Sequence, residues 1–327
     1  MIETTEFEGF AAVTLRSPDG LAATFAPAAG MVCVSLRDGE EELLGQRKGL
    51  AAYAHDGKTM GVPLLHPWAN RLAGDGYAVD GVRVELAPGQ PGLRRDPNGL
   101  PIHGLLAGSP HWRTLPASAA APGDAPTAPG ASGDAPTDTL SAELDFGAHP
   151  ELLAGFPFPH TIRLDVTLRG RTLTIATTVA ATGERPVPLS YGFHPYLRLP
   201  GVPRAQWRVE LPALRHLRLD ARSIPTGAGE PVAATAYALA ERALDDGFTG
   251  VEPGALFAVS GGGRRVEVRF ERGYPAAQVF APLAEDVVCF EPMTAPTNAL
   301  VSHDGLRSVA PGARDTAVFS IGVTEER

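Results

Sequence analysis

Apolar and polar residues alternate with period two along most of this chain, and the runs are short and closed by Gly, Asp or Asn. Met31 to Leu36 stops at Asp38-Gly39, and Tyr77 to Val79 and Val82 to Leu86 flank Asp80-Gly81. An Asp-Gly pair between two alternating runs predicts a hairpin, because its turn needs positive φ. Thr161 to Leu168 turns at Arg169-Gly170 into Thr172 to Val179. Leu256 to Val259 and Val266 to Phe270 flank Gly261-Gly262-Gly263, and Thr316 to Val323 makes a last run. Such patterning predicts antiparallel sheets with one buried face. Only Val232 to Ala243 reads as helical over several turns. The fold class is mainly β, a large antiparallel β-sandwich.

Residues 116–139 differ in kind, being almost entirely Ala, Pro, Gly, Ser, Thr and Asp. That composition cannot bury enough apolar area to offset its ordering entropy. Strand patterning continues on both sides of it. Residues 1–327 therefore read as a single domain carrying a flexible Ala/Pro/Gly-rich insertion at 116–139.

Composition narrows the functional classes. A hydrophobic fraction of 44% supports a sizeable core, and 37 acidic against 28 basic residues argue against a nucleic-acid or anionic-membrane surface. The two cysteines, Cys33 and Cys289, are far apart and sit in apolar runs, so buried inert thiols are expected. There is no run of about 18 apolar residues to span a bilayer, and Met1 to Phe10 lacks signal-peptide character. A cytoplasmic location is the expectation.

Four segments break the strand pattern and concentrate polar groups among Pro and aromatic residues: Gly61 to Leu72, Asn98 to Gly104, Ser190 to Tyr196 and Val287 to Thr294. Proline fixes φ and stops ladder pairing, so these polar groups should lie on rigid backbone at strand ends. Glu291 follows an apolar run directly, where a carboxylate is costly unless partnered or exposed.

Taken in order, Pro67-Trp68-Ala69-Asn70-Arg71, His103-Gly104, Gly192-Phe193-His194-Pro195-Tyr196 and Glu291-Pro292-Met293-Thr294 resemble the aldose 1-epimerase (galactose mutarotase-like) family. Asp245, three residues before Phe248, is a fifth match, with Asp246 the competing choice. The resemblance runs from about Gly61 to Ala299. It implies a galactose mutarotase-like supersandwich and an isomerase that interconverts the α and β anomers of a free aldose. By the same resemblance His194 is the general acid, Glu291 the general base, and Arg71, His103 and Asp245 bind the sugar. Asn70 is grouped with them through Arg71, which it would orient. Trp68, Phe193 and Tyr196 are either an apolar platform for the sugar or core. His66, before Pro67-Trp68, departs from the galactose-active pattern and leaves the particular sugar open.

The partner implied is a small-molecule sugar. No cofactor is expected, because ring opening moves only protons, and no phosphate-loop or dinucleotide fingerprint is present. A metal bound by His66, His103, His194 and Glu291 is the rival reading, without a recognised ligand spacing. Two others are a hexose 6-phosphate substrate, with Arg94-Arg95 as the cationic cluster, and a sugar-binding protein without turnover. Oligomeric state is left open.

Overall fold

The computed structural model describes residues 1–116 and 139–325, so nearly all of the expected insertion at 116–139 lies outside the described residues. Two large antiparallel sheets dominate. The nine-stranded sheet runs, in spatial order, Arg113–Leu115, Thr139–Asp145, His160–Arg169, Thr172–Ala181, Arg314–Glu325, Arg264–Arg272, Ala255–Gly261, Arg208–Leu211 and Thr235–Ala238. The seven-stranded sheet runs Pro225–Val232, Leu214–Leu219, Leu244–Thr249, Ala276–Ala281, Cys289–Met293, Gly192–Phe193 and Leu64–Leu65. A five-stranded sheet, Ile2–Phe7 through Glu41–Glu42, precedes them.

Period-two patterning produces the core between the two large sheets. Phe290 on the seven-stranded sheet meets Phe257 on the nine-stranded one at 5.7 Å between ring centroids, and Phe193 meets Phe319 at 4.8 Å. Both phenylalanines therefore point inward. Successive side chains on a strand point to opposite faces, so Glu291 and Gly192 face outward, with His194 one residue beyond the Gly192–Phe193 strand. A continuous apolar cluster extends from Leu15 to Val323. Cys33 and Cys289 are buried free thiols within the apolar interior, where burial raises both thiol pKa values.

The hairpins form at the expected turns: Asp80 and Gly81 both have positive φ, as do Gly262 and Gly263. Two expectations are corrected. Val232 to Ala243 is not a helix; Thr235–Ala238 is an edge strand pairing with Arg208–Leu211. Its helical spacing is local, whereas the ladder supplies partners that an isolated turn lacks, and sheet context overrides propensity. Glu291 is not at a strand end either. It pairs with Gln278 inside Cys289–Met293, and Pro292 continues the strand opposite Ala277. Proline is tolerated there because the neighbour on the other side, Gly192–Phe193, is only two residues long. Among the described residues no helix is long and apolar enough to cross a membrane.

Candidate active site

The four polar segments are tied together through their backbones. His194 N donates to Pro63 O (3.2 Å), Tyr196 N to Gly61 O (2.9 Å), His103 N to Asn70 O (2.9 Å) and Thr294 N to Tyr191 O (2.9 Å). Two glycines make this closeness possible. A Cβ on Gly104 would lie 2.2 Å from His66 O, and one on Gly192 would lie 2.5 Å from Pro292 O. Gly104 also has φ +69, which L side chains resist.

On the outer face of the seven-stranded sheet, His194 Nε2 lies 3.2 Å from Glu291 Oε1, with the two side chains only 6% and 2% exposed. The His103 ring meets the His194 ring edge-on at 5.5 Å. Tyr196 stacks on His194 at 4.2 Å and 12°. Its hydroxyl is 3.3 Å from Nε2, but parallel stacking puts that oxygen above the imidazole plane.

Arg71 reaches the same face. Its Nε donates to Asp96 Oδ2 (2.7 Å) and its Nη1 to Asn70 Oδ1 (3.0 Å), while Nη1 stands 3.8 Å from Asp245 Oδ2. Asp96 is itself fixed by the backbone N–H groups of Asn98 and Leu100, both at 2.9 Å. Burial pushes the Asp96 carboxyl up, but these donors and Arg71 hold it below the usual carboxylate value. Asp245 accepts from Gln278 Nε2 at 2.6 Å. Strand alternation sends Asp246 the other way, to His216 Nε2 at 2.9 Å. Asp245 is therefore the acid beside Arg71. Trp68 and Phe193 are core residues, nearly inaccessible.

His66 is elsewhere. His160 Nδ1–H donates to Phe158 O (2.6 Å), so its Nε2 accepts from His66 Nε2–H (2.8 Å), among Phe146, Phe156 and Tyr191. That removes His66 from the rival metal set.

Protonation in the site follows from burial. Burial first, and the negative charge of Asp245 second, raise the Glu291 carboxyl well above 4.5. Burial, then His103 and Arg47, lower the His194 imidazole well below 6.5. His103 is lowered to about 3, mainly by burial and then by Arg71. Neither partner of the His194–Glu291 pair tolerates a lone charge, so the pair titrates as a unit that holds one proton. Glu291 Oε2 and His103 Nδ1 are buried with no hydrogen-bond partner among the described residues, as expected of groups awaiting a ligand.

Three contributors escape sequence reasoning. Gln278 is the single polar residue of the run Ala276 to Ala281, a signal that could have found it. Asp96, in Asp96-Pro97-Asn98-Gly99, reads as a plain turn former. Arg47 lies in a charged loop with nothing to single it out. Its guanidinium forks onto Glu285 with two 2.8 Å bonds, and Nη1 donates to Tyr196 Oη at 3.0 Å. Thr59 Oγ1 is 2.6 Å from the same hydroxyl.

Comparison with solved structures gives full-length matches. A galactose mutarotase-like protein from Clostridium acetobutylicum has a TM-score of 0.83 at 17% identity, covering 100% of this chain and 99% of that one. An aldose epimerase homologue from C. elegans gives 0.74 at 18%, covering 97% and 99%. A galactose 1-epimerase from Lactobacillus acidophilus gives 0.72 at 14%, covering 100% and 99%. At these identities the likeness establishes the fold, which is galactose mutarotase-like. Comparison with curated proteins finds no match. The sequence profile of aldose 1-epimerases matches residues 11–322, and with nearly the whole chain so covered, the protein belongs to the aldose 1-epimerase family.

Proposed function

We propose that the protein interconverts the α and β anomers of a neutral free aldose, with Glu291 as general base and His194 as general acid. The observation that carries this reading is the 3.2 Å contact between His194 Nε2 and Glu291 Oε1 in a buried site. The ring oxygen and the anomeric hydroxyl of an aldopyranose are both bonded to C1, so the groups that exchange protons with them must also be neighbours.

Sugar entry parts the two side chains and leaves their one proton on His194, with Glu291 ionised. Glu291 removes the proton of the C1 hydroxyl while His194 delivers one to the ring oxygen, and the C1–ring oxygen bond breaks to give the open-chain aldehyde. Rotation about C1–C2 presents the other face of the carbonyl. Reclosure reverses both transfers, and the pair again holds one proton. Arg71 and His103 hold the sugar at the reacting end, and Asp245 accepts from its hydroxyls. Asn70 acts on the sugar indirectly, by fixing Arg71.

A neutral sugar is favoured over a 6-phosphate by the charges around the site. Arg95 is committed to Asp75 (2.6 Å) and Gly99 O (2.7 Å), and Arg94 is folded against Gly57. Arg71 is neutralised by Asp96, while Asp245 would repel a phosphate.

The test is a polarimetric or NMR panel of mutarotation rates over free aldoses and their 6-phosphates. Acceleration over buffer for at least one neutral sugar is expected. If no sugar mutarotates faster than in buffer, the chain is a sugar binder and the reading fails. Acceleration confined to 6-phosphates would refute the neutral substrate.

A further inference from the structure

Outside the acid–base site, His111, His149 and Glu151 converge on one point of the surface. Their donor atoms lie within 4.8 Å of one another. Glu151 Oε1 reaches both rings, 3.2 Å from His111 Nε2 and 3.5 Å from His149 Nδ1. In a tetrahedral zinc site with metal–ligand bonds of about 2.0–2.1 Å, neighbouring donors are about 3.3 Å apart. Two of the three edges already have that length.

The three residues come from two segments that the fold anchors separately. His111 precedes buried Trp112 and the strand Arg113–Leu115, whose Arg113 pairs with Glu143. From the end of the partner strand, the 3₁₀ turn Phe146–Ala148 leads to His149 and the helix Pro150–Leu153, held by buried Phe146 and Leu152. The positions are thus set by core side chains, while the donor groups remain about one-quarter to one-third exposed. The rings now stack at 3.8 Å and 25°. Closing the third edge calls for rotation of the two partly exposed imidazoles about their side-chain bonds.

We propose that His111, His149 and Glu151 form a binding site for a borderline divalent cation, zinc foremost, with water as the fourth ligand. Two imidazoles and a carboxylate are the donor set that zinc accepts, whereas calcium and magnesium prefer oxygen alone. The bound ion would clip the loop entering Arg113–Leu115 to the helix Pro150–Leu153. It stands apart from the acid–base pair and does not depend on the proposed activity.

The experiment is zinc titration by calorimetry on the full chain after chelator treatment, with cobalt(II) as a spectroscopic substitute. A single equivalent of zinc should bind, cobalt should show the intense visible bands of tetrahedral coordination, and zinc should raise the melting temperature. His111→Ala and Glu151→Gln, each checked for native circular dichroism, should bind less tightly by at least the roughly 10–100-fold cost of losing a supporting contact. The site is refuted if the wild type takes up no zinc, if cobalt stays octahedral, or if both variants bind as the wild type does.

Discussion

Gln278 and Glu291 face each other across the strand ladder, and Gln278 spends its amide on Asp245 at 2.6 Å. One neutral side chain thus stands between two carboxylates and satisfies the more exposed of them. The negative charge of Asp245 is the second cause, after burial, of the raised Glu291 pKa.

Removing that charge should be readable in the pH profile. The single-proton state of the pair ends on the alkaline side when Glu291 loses its proton. Asp245→Asn takes away a negative charge that raises this pKa, so the alkaline limb of kcat/KM should move to lower pH, with a higher KM for sugar. An unmoved limb would show that Asp245 does not act on Glu291.

The wild-type profile has its own expected shape. Two independent groups at 4.5 and 6.5 would hold one proton only between those values. Burial opposes both the doubly protonated pair and the fully deprotonated one. The acid limb of kcat/KM should therefore lie below 6.5 and the alkaline limb above 4.5. An acid limb at 6.5 or above, or an alkaline limb at 4.5 or below, would contradict the burial argument.

His194→Ala and Glu291→Gln should each lower kcat by about 10²–10⁴-fold, the usual worth of a positioned acid or base. Circular dichroism and the urea midpoint should show a folded protein. Near-normal turnover in both would overturn the assigned roles.

Arg47 is a positioning residue that acts through Tyr196. Arg47→Ala frees the Tyr196 hydroxyl from its 3.0 Å donor and removes a cation that lowers the His194 pKa. We expect lower kcat and an acid limb shifted to higher pH, since His194 then takes a second proton more easily. A purely structural role for Arg47 would change stability and leave the limb in place.

Acid lability should originate partly in the buried His66–His160 pair. Burial lowers His160 to about 4, so at neutral pH it is uncharged both folded and unfolded and contributes no penalty. As pH falls below about 6.5, the unfolded chain takes up a proton that the folded one refuses, and stability drops by about 1.4 kcal/mol per pH unit until the folded pKa is reached. Urea midpoints measured from pH 7 downward should fall, and less steeply in His160→Gln, whose amide oxygen can still accept from His66. Equal slopes would remove His160 from the account.

The sheets were legible because alternation and Asp-Gly or Gly-Gly turns are local signals, as the hairpins around Gly81 and Gly262 show. Thr235–Ala238 was not, because its partner Arg208–Leu211 is remote and the strand's own composition permits a helix. In the site, His194, Glu291, Arg71 and His103 stood out through the motifs around them. Asp245 could be separated from Asp246 only by knowing which side of the strand meets Arg71. Arg47 and Asp96 were invisible because their importance lies in contacts with Tyr196 and Arg71, which sequence distance conceals.

The strand Arg314–Glu325 lies between Thr172–Ala181 and Arg264–Arg272, in the interior of the nine-stranded sheet. During synthesis, the two halves of that sheet therefore wait with open inner edges until this segment leaves the ribosome. Unpaired edges of that kind invite pairing with other chains. Docking of residues 314–325 closes both inner edges at once.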